Sequence, residues 1–225
     1  MKIFAVRPEP GLSATIETAR AVGIAVEGCP LADVAPVAWQ PPPDSGFDAL
    51  LLGSANAVRH AGPALARWRD RPVHVVGDAT AKAAQAAGLK VASVGEGHLQ
   101  PVLDRLASKN PMRLLRLTGE AHVPLVPPGN VSIETRVVYR VVHRPIPEEL
   151  AVDLAQGGVV LLHSGEAARH FARECDRLGL SRAGISLAVL APRIGEAAGS
   201  GWGRVEIAAR PADGALLALV RDICH

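Results

Sequence analysis

Two stretches of this chain combine residue types that could bind an anion. An apolar run at residues 47–52 ends in a turn where Ser54 or Asn56 can cap a following helix. The run at 158–162 ends the same way, with Ser164 in the turn. A buried strand, a tight turn and a helix N-terminus present backbone N–H groups to an anion. Because neither serine lies in a Gly-x-Ser-x-Gly motif, we interpret both as turn or cap residues rather than nucleophiles.

The histidines and cysteines do not show the spacing of a metal site. The chain has eight histidines and three cysteines but no His-Glu-x-x-His or Cys-x-x-Cys motif, so we predict no metal. Gly95 and Gly97 lack the third glycine of a dinucleotide-binding turn, which argues against a nucleotide-binding enzyme.

The positions of these stretches indicate that the chain is one unit written twice. Asp48 and Gly158 are 110 residues apart, and the same offset relates the predicted strands that begin at Lys2 and Met112. Each copy contains three elements of strand, turn and helix. Alternating strands and helices with a Val, Leu and Ala bias predict an α/β class with parallel sheets.

Proline-rich or extended connectors interrupt both copies after their first element. We therefore expect one domain to be inserted into the other, with two similar Rossmann- or flavodoxin-like domains, a two-stranded linker and a ligand cleft between them. The predicted boundaries are 1–32 with 142–225 for the first domain, 38–134 for the inserted domain, and 33–37 with 135–141 for the linkers. Residues 122–126 are expected to begin a short helix, and 132–143 to be extended.

Composition indicates in which cell compartment the protein is located and which class of partner it can bind. With 225 residues and 48% hydrophobic content the chain can bury sizeable cores, and a net charge of +2 is too balanced for a nucleic-acid protein. Three widely spaced cysteines suggest a reducing compartment. The early charged residues do not fit a signal peptide, and no run of about 18 apolar residues suggests a membrane span. We expect a cytoplasmic protein.

Several motifs taken together resemble the uroporphyrinogen-III synthase family. They are Arg7-Pro8, the stretches at 47–58 and 75–81, Val138-Tyr139-Arg140, and Leu161-Leu162-His163-Ser164-Gly165, and they cover most of the chain. The resemblance implies cyclisation of the linear tetrapyrrole hydroxymethylbilane to uroporphyrinogen III, with inversion of the last ring, loss of water and no cofactor. It implies a small-molecule substrate as the only partner, no nucleic acid, no membrane and a monomeric state.

The resemblance also implies site residues. Tyr139, the only tyrosine, matches the family's linker tyrosine and is the candidate catalytic acid, while its alternative role is a half-buried packing anchor. Turn amides and helix dipoles suit a polyanionic substrate without a large basic patch. The candidate substrate-binding residues are Arg7, Ser54, Ala55, Thr80, Gly119, Ser164, Gly165, Pro192 and Arg193.

Two positions depart from the family pattern. Pro192-Arg193-Ile194 stands where relatives have a threonine-rich turn, and His122 stands where relatives often have arginine. Either Arg193 replaces the lost hydroxyls with a carboxylate clamp, or the chain is a catalytically inactive binding or sensor module with the same fold.

Overall fold

A computed structural model describes residues 1–43, 46–106 and 111–224 of the chain. The chain divides into two compact units, Met1–Asp33 with Val142–His225 (unit 1) and Val34–Val141 (unit 2). Both units contain parallel sheets flanked by helices, so the predicted α/β class is confirmed. None of the helices in the described part of the chain is long and apolar enough to span a membrane.

The secondary-structure elements alternate along the chain. The strands are β1 (Ile3–Ala5), β2 (Glu27–Gly28), β3 (Ala32–Pro36), β4 (Ala49–Leu52), β5 (Pro72–Val76), β6 (Lys90–Gly95), β7 (Met112–Gly119), β8 (Val131–His143), β9 (Gly158–Leu162), β10 (Ile185–Val189) and β11 (Arg204–Ile207). The α-helices are α1 (Gly11–Ala21), α2 (Ala55–His60), α3 (Asp78–Ala86), α4 (Gln100–Leu106), α5 (Glu148–Ala155), α6 (Gly165–Leu178), α7 (Pro192–Ala198) and α8 (Asp213–Cys224). Short 3-10 helices cover Pro63–Trp68 and Arg182–Gly184.

Unit 1 has a five-stranded sheet in the order β11-β10-β9-β1-β2, with parallel pairing throughout. The first strand of the chain therefore lies beside β9, with Ala5 opposite Leu161. Strand β9 is buried along its whole length because apolar residues cover both faces of the sheet. Phe171 and Leu154 lie in the core on one face, and Leu216 lies in the core on the other.

Unit 2 has a six-stranded sheet in the order β3-β8-β7-β4-β5-β6. The neighbouring strands β8, β7, β4, β5 and β6 all pair in parallel. Strands β4 and β7 lie at the centre of the sheet. Leu50, Leu52 and Trp68 belong to the core on the α2 and α3 face, whereas Leu51 and Leu103 belong to the core on the α4 face. The short apolar run predicted at 47–52 is thus a central strand buried from both sides.

One sequence-based expectation about local structure is wrong. No helix forms at residues 122–126, which belong to neither a helix nor a strand. Pro124 cannot donate a helical hydrogen bond, and two more prolines follow at 127 and 128. The predicted linker at 33–37 overlaps strand β3, which joins the edge of the unit 2 sheet beside β8.

Candidate functional site

In unit 1, the turns that the sequence singles out lie at one edge of the sheet. Strands β1, β9 and β10 run parallel, so the residues that follow them, Arg7, Ser164 and Pro192, emerge at the same carboxyl edge. Ligands of open α/β sheets bind at this edge. The predicted residues of unit 1 are therefore brought to one side of the fold.

The turn after β9 begins a capped helix. The Ser164 hydroxyl oxygen accepts a hydrogen bond from the Ala167 amide at 3.1 Å, so Ser164 is the N-cap of α6. A Cβ atom added at Gly165 would lie 3.3 Å from the Ala197 Cβ and 3.9 Å from the Arg193 carbonyl oxygen. The first turns of α6 and α7 thus touch through Gly165, and this contact places the exposed Pro192 and Arg193 beside the Ser164 turn.

Arg7 belongs to a polar cluster at the same edge. Its Nη1 atom donates to Thr15 Oγ1 at 3.2 Å and pairs with Asp213 Oδ2 at 3.3 Å. The Thr15 hydroxyl is buried and also donates to Asp213 Oδ2, at 3.0 Å. The guanidinium lies over Gly11, where a Cβ atom would come within 2.5 Å of Arg7 Nε. These contacts fix the guanidinium at the start of α1 and α8.

His163 completes this cluster from the end of β9. Its Nε2 atom lies 3.0 Å from Asp213 Oδ1, and its side chain is almost fully buried. Burial lowers the pKa of His163, although the hydrogen bond with Asp213 acts in the opposite direction. Burial alone would raise the pKa of Asp213, but the hydrogen bond from His163 and the charge of Arg7 outweigh it and lower that pKa. A neutral imidazole therefore donates to an ionised carboxylate.

In unit 2, three further turns lie at the carboxyl edge of the second sheet. Strands β4, β5 and β7 are parallel and adjacent, so Ser54, Gly77 and Gly119 mark neighbouring strand ends. The Ser54 hydroxyl oxygen accepts from the Asn56 amide at 3.2 Å, so Ser54, rather than Asn56, is the N-cap of α2. Ala55, buried, is the first residue of that helix.

Thr80 lies deeper than its sequence position suggests. It is the third residue of α3, its side chain is buried, and its amide donates to the Gly77 carbonyl at 3.1 Å. The turn that precedes it therefore presents the amides of Asp78 and Ala79 at the start of the helix, which have no partner within the helix itself.

Tyr139 lies directly over the end of β7. A Cβ atom added at Gly119 would be 2.6 Å from Tyr139 Cε2 and Cζ and 2.9 Å from the hydroxyl oxygen. The Tyr139 carbonyl accepts from the Glu120 amide at 3.0 Å, and the half-buried ring lies 6.1 Å from the His60 ring between centroids. Burial, and to a lesser extent Arg59, lowers the pKa of His60. The Tyr139 ring thus lies near an imidazole whose charged form is disfavoured.

The predicted residues therefore form two groups. Unit 1 brings together Arg7, Ser164, Gly165, Pro192 and Arg193, and unit 2 brings together Ser54, Ala55, Thr80, Gly119 and Tyr139. In the described part of the chain, no three His, Cys, Asp or Glu side chains are placed to hold a metal ion.

Sequence reasoning missed three neighbours of these groups, namely His60, His163 and Asp213. Both histidines lie at the repeated stretches, and this position is the sequence signal that could have identified them as site residues. Asp213 lies 50 residues from His163, and nothing in the local sequence links the two.

A family model and two solved structures are similar to this chain. The family model for uroporphyrinogen-III synthase HemD matches residues 13–218. The fold is similar to uroporphyrinogen-III synthetase from Helicobacter pylori 26695, with a TM-score of 0.65 and 16% identity over 99% of both chains. It is also similar to a mutant uroporphyrinogen III synthase from the extremely thermophilic bacterium Thermus thermophilus, with a TM-score of 0.58 and 16% identity over 100% of this chain and 99% of that one. No curated protein matches the sequence at a significant level.

Proposed function

This chain belongs to the uroporphyrinogen-III synthase family, and on that premise we propose that it cyclises hydroxymethylbilane to uroporphyrinogen III in heme biosynthesis. The reaction joins the two ends of a linear tetrapyrrole, inverts ring D and releases water, so the enzyme is a lyase. The match of the family model over residues 13–218 is the observation that carries this proposal. No observation on the described residues favours the inactive binding module.

The two groups of residues support binding of a polycarboxylate. Each pyrrole ring of hydroxymethylbilane carries an acetate and a propionate group, so the substrate is a polyanion. The turns after β4, β5, β9 and β10 each present helix N-terminal amides, and each such end contributes roughly 0.3–1 kcal/mol to binding an anion when exposed. Distributed amides of this kind explain how a chain with a net charge of +2 could bind such a substrate.

Arg7 and Arg193 add charged donors to the group in unit 1. The guanidinium of Arg193 is exposed and can form a charge-assisted pair with a carboxylate. Arg7 is held in place by Asp213 and Thr15, so its guanidinium is preorganised before substrate arrives. In this proposal Arg193 takes over the task of the threonine-rich turn.

Tyr139 is the proton donor in our proposal. The hydroxymethyl group on ring A must lose its oxygen, and hydroxide is a poor leaving group, so proton transfer from the Tyr139 hydroxyl lets it depart as water. The pyrrole nitrogen supplies the electrons and leaves an electrophilic azafulvene. Ring D then attacks through its substituted carbon, and the resulting spiro intermediate rearranges with ring D inverted.

The larger task of this site is to control the conformation of the bound substrate. Released hydroxymethylbilane closes spontaneously without inversion, so the protein must favour the inverting attack by holding the two ends of the substrate. The position of Tyr139, packed against the Gly119 backbone, supports a fixed location for the proton donor. Positioned proton transfer contributes typically 10²–10⁴-fold to a rate.

We further propose a cytoplasmic monomer whose only partner is hydroxymethylbilane, with no nucleic acid and no membrane involved. The balanced net charge supports the exclusion of nucleic acid. Light scattering during size-exclusion chromatography tests the monomer, and a second copy per particle would overturn it.

The direct test supplies freshly generated hydroxymethylbilane to the purified protein. The products are oxidised to porphyrins and the isomers are separated by chromatography. The proposal predicts the type III isomer in excess, whereas type I alone, at the rate seen without protein, would overturn it.

A further inference from the structure

Arg116 is a buried positive charge without a carboxylate partner in the described part of the chain. It lies in the centre of β7, next to β4, and is only 6% exposed. Among the described residues no Asp or Glu forms an ion pair with it. Burial lowers its pKa, and among the described titratable groups only Tyr139 acts on it, in the opposite direction. Burial of a charge is costly unless the charge is paired.

The hydrogen bonds of Arg116 also leave part of its guanidinium donor set unpaired. Its Nη2 atom donates to the Val123 carbonyl at 2.9 Å, while Nε is buried and has no hydrogen-bond partner among the described residues. A guanidinium offers five N–H donors in a fork that matches a carboxylate. A neutral carbonyl satisfies such a donor set less well than a carboxylate does.

Two other arginines of the same sheet are paired in the usual way. Arg113, three residues earlier on β7, pairs with Glu134 at 2.9 Å, and Arg136 on β8 pairs with the same glutamate. Arg116 differs from both of them, because it is buried and has no such counterion among the described residues. Arg113 lies toward the amino end of the strand, whereas Arg116 lies nearer the carboxyl edge where Gly119 and Tyr139 meet.

The segment at residues 120–130, between β7 and β8, covers Arg116. The bonds that hold its middle part include the one from Arg116 to the Val123 carbonyl and a reciprocal pair of 2.9 Å bonds between Gln100 and the Val126 backbone. The side chains of Val123 and Val126 point outward and are 75% and 76% exposed. The Val123 carbonyl thus occupies an Nη2 donor of the guanidinium that a carboxylate of a ligand would use.

We propose that Arg116 is a carboxylate-binding residue of unit 2, where one acetate or propionate group of the tetrapyrrole displaces the Val123 carbonyl and pairs with the guanidinium fork. This inference rests on the proposed function for the identity of the ligand. It assigns a charged anchor to unit 2, where the other site residues contribute amides, hydroxyls and Tyr139. The unpaired charge is a cost to the free protein that the substrate removes.

The test compares Arg116→Met with the matched control Arg113→Met on the same strand. Binding of uroporphyrin III, a stable porphyrin with eight carboxylates, is followed by fluorescence, and thermal unfolding is recorded without ligand. Loss of a hydrogen-bonded charge pair should weaken porphyrin binding by about 10–100-fold in Arg116→Met, whereas Arg113→Met should stay within about twofold of wild type. Arg116→Lys should lie between, because it keeps the charge but loses the fork.

Thermal unfolding separates this role from a structural one. Removing an unpaired buried charge should leave the melting temperature of Arg116→Met equal to or above that of wild type. Unchanged porphyrin binding, or a lower melting temperature that accompanies the loss of binding, would overturn the inference. Because the assay measures binding at equilibrium, it decides the role of Arg116 even where the wild-type chain fails to cyclise hydroxymethylbilane.

Discussion

Replacing Gly119 by alanine tests whether Tyr139 acts as a positioned acid. The added Cβ atom would lie 2.6 Å from two carbons of the Tyr139 ring. Carbon atoms pack at about 3.5–4.0 Å, so the ring has to retreat by roughly 1 Å. The substitution leaves the hydroxyl in the protein and changes only its position. Gly119 has no positive φ, so alanine adds no backbone strain there.

The size of the effect follows from this displacement. A misplacement of about 1 Å can lower a rate by about 10²-fold, so we expect kcat to fall by roughly 10–100-fold. Overpacking costs typically 1–3 kcal/mol, and because the ring is half-buried and can yield, we expect a loss of stability near the lower limit of that range. Affinity for the product should change little, because the Tyr139 hydroxyl acts on the leaving group rather than on the carboxylates.

The assay measures type III formation by the single variants and by the double variant with Tyr139→Phe. In Tyr139→Phe the hydroxyl is already missing, so displacing the ring should lower the rate little further. The double variant should therefore have the same rate as Tyr139→Phe alone. Gly129→Ala is the matched control, because a Cβ atom there meets nothing within 4 Å and the residue also has no positive φ. It should retain the wild-type rate.

A wild-type rate and isomer ratio in folded Gly119→Ala would refute this reasoning. Full additivity of the two substitutions would also refute it, since additivity means that Gly119 acts independently of the Tyr139 hydroxyl. Circular dichroism and thermal unfolding establish that each variant is folded before its rate is compared.

Three further predictions concern the site and its titratable groups. Tyr139→Phe should remain folded, bind product normally and form the type III isomer roughly 10–100-fold more slowly, with more type I as spontaneous closure competes; an unchanged isomer ratio would leave Tyr139 as a packing residue. Arg193→Ala should raise KM more than it lowers kcat, because the contact exists both before and during the reaction; unchanged constants would remove Arg193 from the site. The pKa of His163 is lowered in the folded chain, so the unfolded chain takes up its proton first as the pH falls below about 6.5, and acid reduces the free energy of unfolding. His163→Asn should weaken that pH dependence by up to about 1.4 kcal/mol per pH unit, as measured by urea unfolding between pH 7.5 and 5.5; an identical slope would contradict the assignment.

The sequence was sufficient wherever a local pattern determines the structure. Apolar runs bounded by turn residues predicted the buried strands β4 and β9, and the serines after them are the helix caps. The parallel order then brings the predicted turns of each unit to one edge of a sheet. These features depend on the periodicity and chemistry of neighbouring residues, which a single sequence contains.

Features that depend on tertiary contacts were missed. Arg116 lies in an apolar strand pattern, and only the covering segment 120–130 makes its unpaired charge visible. The Asp213 carboxylate, at the start of the last helix, contacts Arg7, Thr15 and His163 from three other parts of the chain. Strand β3 overlaps the predicted linker at 33–37, but its place at the edge of the unit 2 sheet follows from tertiary pairing with β8, and a proline at its end is tolerated at such an edge.

The most direct measurement is the fraction of type III isomer formed from hydroxymethylbilane as the protein concentration is raised. Spontaneous closure gives the uninverted isomer with a rate constant that does not depend on protein concentration, so the enzyme competes with this background reaction. We predict that the type III fraction rises with protein concentration until it dominates. A product that remains type I at every concentration of folded protein would contradict it.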